Sequence, residues 1–337
     1  MKKTTNRLSP FLCAASMLLL IFDAKHAIEG AKDGIILCLY TVIPTLFPYC
    51  VLSILFRSMI SGRSLTILGA FERFIQVPKG YGTMLLLGML GGYPAGAICI
   101  QEAIKDNSLR SDDVKYLRAF CNNAGPSFII GIVAYCFKQK NYAVILILMQ
   151  FLSALLCCLI FSKEYIVRYN TYSPQKTNLS AAIKQGSMNM VNICGIIILF
   201  RAFMNIIDIH LSLYLSQDIW VIIVGILELT NGIILLPVLN QEPLMFIAAA
   251  GMLSFGGLCI TMQTIAFSPS GTGKYYIVGK IIQALLSMIL AVIYLKLKLL
   301  SIIIYFLIFG VIKLLKFTNK NGSFLLKNSS NFDKHHV

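Results

Sequence analysis

A glycine- and proline-rich motif interrupts one of the apolar parts of the chain. Residues 91–96 read GGYPAG and lie inside an apolar run that extends over residues 82–100. Three glycines and a proline break a helix and free backbone N–H and C=O groups, which are costly in lipid unless they are satisfied. A half-helix that begins near Pro94 would point its N-terminal N–H groups at a bound anion or polar solute. The alternative is a close helix crossing that requires small residues.

A second motif places two adjacent amides at the start of an apolar run. Residues 121–127 read CNNAGPS, so Asn122, Asn123 and Ser127 stand beside a Gly-Pro break. Amides both donate and accept hydrogen bonds, which suits an uncharged or carboxylated ring substrate. Asn is also a good helix N-cap, so an entry cap explains the motif equally well.

A third candidate is the acidic residue Glu228, which lies in the apolar run 220–239 with Thr230 and Asn231 close by. An ionisable group at membrane depth suggests function, and it could carry a coupling proton or help to hold a sodium ion. Glu228 could instead form a structural ion pair with Arg201. Alternatively, the Arg201 side chain extends to the membrane interface. An anionic substrate requires a cation, for which Arg201 and Lys280 are the candidates.

In the second half of the chain, residues 254–257 (SFGG) and Gln263 occupy the place of the Asn-Asn-Gly-Pro motif. The sequence therefore predicts a set of substrate-binding residues that comes from both halves. These are Gly92, Tyr93, Pro94, Gly96, Asn122, Asn123, Gly125, Ser127, Arg201, Glu228, Asn231, Gly256, Gly257 and Gln263.

Catalytic, metal and cofactor motifs are missing from the sequence. It has no P-loop, no H-E-x-x-H, no G-x-S-x-G and no C-x-x-C pair among its ten cysteines. We therefore predict a protein that is not an enzyme and needs no metal or cofactor. Without an ATP site, transport would be driven by a gradient or run downhill.

The amino-acid composition indicates the class of protein to which these residues belong. Of 337 residues 57% are hydrophobic and 13% are charged, with a mean hydropathy of +0.77, whereas a soluble domain carries about 25% charged residues. The net charge of +15 arises from basic residues in loops between apolar runs. That is the pattern of cytoplasmic loops in membrane proteins, so we predict a lipid bilayer and not nucleic acid as the partner.

The positive-inside rule decides how many of the ten apolar runs cross the membrane. If all ten cross, the basic loop 163–184 lies outside and the acidic loop 207–218 lies in the cytoplasm. If runs 82–100 and 220–239 enter and leave on the same side, both loops obey the rule. We therefore predict an all-α polytopic membrane protein with about eight transmembrane helices, two re-entrant or broken segments and both termini in the cytoplasm.

The order of elements repeats with opposite orientation, which is a common plan of secondary transporters. The first repeat covers residues 28–165 and the second covers residues 186–297, joined by a cytoplasmic loop at 166–185. Outside the repeats we expect an N-terminal membrane helix at 1–27, a last helix at 298–317 and a polar tail at 318–337.

The motifs resemble those of the sporulation integral membrane protein family of YlbJ type, which carries the nucleoside recognition or Gate domain. Family members usually read S-G-Y-P-x-G-A and C-N-x-x-x-P-x-F-I-x-G. Here residues 91–97 read GGYPAGA and residues 121–131 read CNNAGPSFIIG, and residues 227–232 and 255–263 look similar too. The resemblance extends from about residue 28 to 297, and Gly91 replaces the usual Ser.

The resemblance implies a transporter in an endospore-forming bacterium that passes dipicolinic acid toward the forespore across the outer forespore membrane. Broken-helix N-termini, amides and an arginine would suit this small aromatic dicarboxylate. Two alternatives stay open: a symporter for a nucleoside or other metabolite, and a membrane scaffold of sporulation that transports nothing. The coupling ion and the oligomeric state are not fixed by the sequence.

Overall fold

In the computed structural model, the described residues are 8–60, 69, 72, 81–105, 117–133, 136–137, 141–161, 177–267 and 272–297. All regular secondary structure in these ranges is helical. The helices are α1 (Leu8–Phe22), α2 (Ala24–Leu37), α3 (Ile43–Ile60), α4 (Tyr81–Gly91), α5 (Ala95–Lys105), α6 (Asn141–Phe161), α7 (Leu179–Leu211), α8 (Gln217–Leu227), α9 (Leu229–Leu235), α10 (Glu242–Phe255), α11 (Gly257–Ala266) and α12 (Gly273–Leu297).

Within the described ranges, five helical stretches are long and apolar enough to cross a bilayer, for which about 20 residues are needed. They are Ala24–Phe56, Asn141–Phe161, Leu179–Tyr214, Glu242–Ala266 and Gly273–Leu297. This confirms the prediction of an all-α polytopic membrane protein. Helix α1 has 15 residues, and the predicted last helix at 298–317 and the polar tail lie outside the described residues. The same holds for much of the predicted loop at 166–185.

The first helices of the two predicted repeats pack against each other in opposite directions. The Asn205 side chain donates to the His26 carbonyl over 2.8 Å, near the start of α2 and the end of α7. Farther along, a Cβ added to Gly186 near the start of α7 would lie 2.9 Å from Val51 in α3. Residue numbers rise in one helix as they fall in the other, so the pair is antiparallel.

The last helices of the two predicted repeats, α6 and α12, are antiparallel as well. The Cys157 thiol lies 3.7 Å from the Gly279 carbonyl oxygen. At the other end, Tyr142 and Tyr294 both pack on the Phe246 ring, with centroid distances of 4.6 and 5.7 Å. Antiparallel packing of corresponding helices is the arrangement that an inverted repeat requires, while the boundaries of the two units stay a prediction.

The two segments predicted to be broken are interrupted where the sequence indicates. Helix α4 ends at Gly91 before α5 begins at Ala95, and α8 ends at Leu227 before α9 begins at Leu229. The described residues contain two further breaks. Residues 121–125, in the motif with the two adjacent amides, are non-helical before the helical turn Pro126–Phe128, and Gly256 separates α10 from α11. Each half of the molecule therefore contributes two interrupted segments.

Candidate functional site

In the first half of the chain the two breaks lie against each other. Gly92 has a φ of +74°, and its carbonyl accepts from the Ala95 N–H at 2.8 Å, which closes a tight turn. A Cβ added at Gly92 would lie 2.8 Å from the Gly125 nitrogen. Only glycine fits this backbone conformation and this close backbone approach, which is why the sequence needs it here.

The second half repeats this arrangement with different residues. Gly257 has a φ of +80°, and an added Cβ would lie 3.1 Å from the Leu229 nitrogen and 3.3 Å from the Leu227 carbonyl oxygen. The break between α10 and α11 therefore contacts the break between α8 and α9. Between those two helices, Glu228 is the N-cap of α9, because its carboxylate accepts from the N–H groups of Thr230 (3.0 Å) and Asn231 (2.8 Å).

Tyr93 connects the breaks of the two halves. Its buried hydroxyl donates toward the carbonyl oxygens of Leu253 (3.1 Å) and Ser254 (3.2 Å) at the end of α10. Gly256, with a φ of +84°, leaves room for the ring, since a Cβ there would lie 2.9 Å from Tyr93 Cζ. Carbonyl groups at a helix C-terminus have no partner within their own helix, and the single Tyr93 hydroxyl proton is shared between two of them.

A fully buried lysine side chain lies beside Tyr93. Lys280 of α12 is 0% exposed, and its Nζ is 5.1 Å from the centre of the Tyr93 ring. The ammonium donates to Asn123 Oδ1 (3.1 Å) and Gln283 Oε1 (2.7 Å), which are both neutral amide oxygens. A buried charge is normally paired with an opposite charge, and here uncharged dipoles take that role among the described residues.

The Gln283 amide also contacts Asn123, and a further amide, Gln150, extends this network around the lysine. The Gln283 Nε2 donates to Asn123 Oδ1 at 2.8 Å, and the Gln150 Nε2 of α6 donates to the Ala124 carbonyl at 3.0 Å. We call Asn123, Gln150, Lys280 and Gln283 the lysine–amide cluster. All four side chains are at most 1% exposed, so the cluster lies in the protein interior.

Several polar atoms near this cluster have no hydrogen-bond partner among the described residues. They are Asn122 Oδ1, Gln150 Oε1 and Ser254 Oγ. The other end of the Asn122 amide donates to Thr264 Oγ1 of α11 at 2.8 Å. Unsatisfied buried polar atoms are rare in folded proteins, and a group of them at one place indicates a site that accepts water or a polar solute.

A second polar region lines a cavity of about 240 Å³ between α2, α7, α8 and α9. Arg201 donates to Asn231 Oδ1 at 2.8 Å, and its Nη2 is 3.8 Å from Glu228 Oε2. Asp33 and Asp208 also line this cavity, which we call the lateral cavity. At roughly 30 Å³ per water, its volume corresponds to about eight waters, so it can hold one small solute.

The structure brings most of the predicted binding residues to these two places. Gly96 packs on the other break, since an added Cβ would overlap the Cys121 carbonyl, and the Pro94 carbonyl accepts from Ile98 N–H in the first turn of α5. Two predicted residues stand apart. Ser127 is exposed, and Gln263 is buried with its Nε2 3.5 Å from Cys259 Sγ one turn earlier in α11.

Three residues that the sequence did not indicate as binding residues contribute to the site, and Arg118 is a further buried polar residue near the 121–125 break. Gln150 and Gln283 are polar residues inside apolar runs, and Gln283 follows Lys280 by three residues on one helix face, which was a usable signal. Tyr276 approaches Asn122 to 3.5 Å. Arg118 is 1% exposed and donates to the Phe267 carbonyl at 3.3 Å, while its Nε and Nη1 have no partner among the described residues.

A comparison with known proteins finds one relevant relative. The sporulation integral membrane protein YlbJ of Bacillus subtilis (strain 168) is 30% identical to this chain over 141 residues. The match covers 40% of this chain and 35% of the relative, so the aligned part spans about a third of the relative's length. No family model matches the chain, and no solved structure matches it.

Proposed function

We propose that the protein is a secondary transporter that moves a small organic anion across a bacterial membrane. The observation that carries the proposal is the environment of Lys280. Its ammonium is fully buried next to the helix breaks, and its described partners are neutral amide oxygens. No described carboxylate pairs with this amino group, so an anion that enters the site would bind and stabilise its protonated form.

Arg118 supports the same proposal from the other side of the 121–125 break. Its guanidinium is buried against a backbone carbonyl and keeps two nitrogens free of partners within the described residues. Guanidinium groups bind carboxylates through two parallel hydrogen bonds. We propose that Arg118 and Lys280 together accommodate a substrate with more than one negative charge.

The lateral cavity supplies a different part of the transport cycle. Its Arg201 is already paired with Glu228, and two further carboxylates line the walls, so it is less suited to an anion than the buried cluster. We propose that Glu228 carries the coupling cation, a proton or sodium ion, because it lies at a helix break beside this cavity. Substrate and coupling ion would thus occupy neighbouring sites on opposite sides of the α8–α9 break.

Dipicolinate is the substrate that we propose within this class. The relative with 30% identity is named as a sporulation integral membrane protein, and transport of this aromatic dicarboxylate is what the resemblance of the sequence motifs implies. The two carboxylates would bind Lys280 and Arg118, and the amides of Asn122 and Asn123 would contact the ring. The corresponding location is the outer forespore membrane, with both termini in the cytoplasm.

Uptake by proteoliposomes tests the proposal. The purified full-length chain is reconstituted, and the uptake of labelled dipicolinate and labelled uridine is measured with an imposed proton or sodium gradient. We expect saturable dipicolinate uptake that exceeds uridine uptake and depends on one of the two gradients. Uridine uptake alone would identify a nucleoside symporter instead. Uptake of neither solute, together with normal spore dipicolinate in a deletion strain, would identify a non-transporting scaffold.

A further inference from the structure

A cluster of three potential metal ligands lies where the first helices of the two halves meet. Asp23, just before α2, approaches His26 Nδ1 with its Oδ1 at 2.5 Å and His210 Nε2 with its Oδ2 at 2.7 Å. The ligand atoms of the three residues all lie within 4.8 Å of one another. The two imidazole rings stand edge to face, with centroids 6.4 Å apart. We call these residues the Asp–His–His cluster.

The chemistry of the cluster matches a known class of metal site. Two imidazole nitrogens and one carboxylate with an open fourth position are a common ligand set for Zn²⁺, with ligand distances of about 2.0–2.2 Å. Ligand atoms of a tetrahedral site at these distances lie about 3.4 Å apart. The two Asp23–His separations, 2.5 and 2.7 Å, are shorter than that value, so the side chains would rotate apart to admit an ion. Both histidines within the described residues belong to this cluster.

The surroundings attract cations and supply a deprotonated carboxylate. Residues 23–33 and 207–218 together carry five carboxylates and two lysines. A metal ligand must be deprotonated to bind, and Asp23 meets this condition at neutral pH.

The scaffold around the cluster is held in place by other contacts. The His26 carbonyl accepts from the Asn205 side chain at 2.8 Å, which fixes the start of α2 against α7. Gly30, Asn205 and Asp208 line the lateral cavity, and His26 and His210 lie within four residues of them. An ion at the cluster would therefore join two helices at the edge of this cavity.

We propose that Asp23, His26 and His210 form a binding site for a divalent transition metal such as Zn²⁺, completed by water. The bound ion clamps the start of α2 to the end of α7. If the protein works as a transporter, a consequence that rests on the proposed function, the clamp restrains the relative motion of the two halves and slows the transport cycle.

Isothermal titration calorimetry of the full-length chain with ZnCl₂ tests the site directly. The protein is purified without a polyhistidine tag, in a background that carries His335→Asn and His336→Asn, because the tail histidines could bind zinc on their own. We expect one equivalent of zinc, with affinity reduced at least tenfold in His26→Asn and in His210→Asn. Mg²⁺ at the same concentration should bind far more weakly, since it prefers six oxygen ligands.

Two controls keep the test decisive. Asp218→Asn removes a neighbouring carboxylate that is not a ligand and should leave zinc affinity unchanged. His210→Cys restores a zinc ligand and should retain binding if His210→Asn acts by removing a ligand and not by misfolding. Equal zinc affinity in the background protein and in His210→Asn, or no saturable binding at all, would overturn the proposal. Because binding is measured without substrate, this result is independent of whether the chain transports dipicolinate.

Discussion

The lysine–amide cluster and the lateral cavity both hold a basic residue beside a helix break, but the partners of the two residues differ. Lys280 is fully buried, and its described partners are amide oxygens. Arg201 is partly exposed to the cavity, and Glu228 lies 3.8 Å from its guanidinium. The first region gives its basic residue no opposite charge among the described residues, whereas the second pairs its basic residue with a carboxylate.

This difference assigns the two regions to different tasks. A buried charge with neutral partners is destabilising until an opposite charge arrives, so the lysine–amide cluster favours binding of an anion. A charge pair at the edge of a cavity is closer to balance and changes its state when a proton or cation binds. Mutations that remove one charge at a time should therefore affect substrate binding in one region and helix stability in the other.

The largest effect is expected for Lys280→Gln. A hydrogen bond to a charged group contributes roughly 1.5–3 kcal/mol, and each 1.4 kcal/mol corresponds to about tenfold in affinity. Dipicolinate affinity, measured as the half-saturating concentration for uptake, should therefore fall about 10- to 100-fold. Lys274→Gln, at an exposed position two turns earlier on the same helix, is the matched control and should transport normally. Unchanged affinity in Lys280→Gln would contradict the proposal that the lysine–amide cluster binds the anion.

A smaller effect, on stability, is expected for Gly256→Ala. The residue has a φ of +84°, and the new methyl group would press on the Tyr93 ring. Left-handed backbone at a non-glycine residue costs about 1–2 kcal/mol, before the contact is counted. The thermal midpoint in detergent should fall, as measured by fluorescence-detected size exclusion.

Gly195→Ala provides the control for that substitution. Gly195 lies inside α7 with open space where the methyl group would point, and its φ is not in the left-handed region. Alanine is favoured over glycine in a helix by about 0.5–1 kcal/mol, so the midpoint should stay the same or rise. A similar loss of stability in both variants would contradict the geometry described for the break at Gly256.

Glu228→Gln should have a still smaller effect, of about 1 kcal/mol. The amide keeps one acceptor for the N–H groups of Thr230 and Asn231 and loses the other, and caps of this kind contribute roughly 0.5–2 kcal/mol. Uptake of dipicolinate should lose its dependence on the gradient while affinity changes little. Glu242→Gln, in the exposed first turn of α10, is the control. A tenfold loss of substrate affinity in Glu228→Gln would contradict the proposal that Glu228 couples transport to the gradient without binding the substrate.

Much of this architecture could be predicted from the residues. The GGYPAG motif and the Glu228 segment carry their own helix-breaking or capping chemistry, and both are interrupted in the structure. The second pair of breaks was harder to predict. Gly256 and Gly257 lie in an apolar run that reads as a continuous helix, and only their φ values of +84° and +80° reveal the break. The hydrophobic pattern shows which residues are apolar, but it does not show where the backbone φ angle becomes positive.

The composition of the site was only partly predictable, for a related reason. The sequence points to Asn122 and Asn123, but it does not show that α6 and α12 would bring Gln150 and Gln283 to the same place. The Gln283–Asn123 contact joins residues 160 positions apart along the chain, and the Gln150–Ala124 contact joins residues 26 positions apart. They depend on how antiparallel helices are aligned, and no local pattern encodes that alignment.

The smallest effect is expected for Ser127→Ala, and it separates the sequence pattern from the three-dimensional arrangement. Ser127 was predicted to bind substrate because it ends the motif at 121–127, yet the structure leaves it exposed at the start of the turn Pro126–Phe128. Exposed substitutions change stability by about 0.5 kcal/mol or less. Dipicolinate affinity should therefore match the wild type, whereas Asn123→Ala, which removes an acceptor from Lys280, should lower it. If both variants lose affinity equally, the substrate contacts the outer end of the motif, and the anion site would have to be placed there instead of at Lys280.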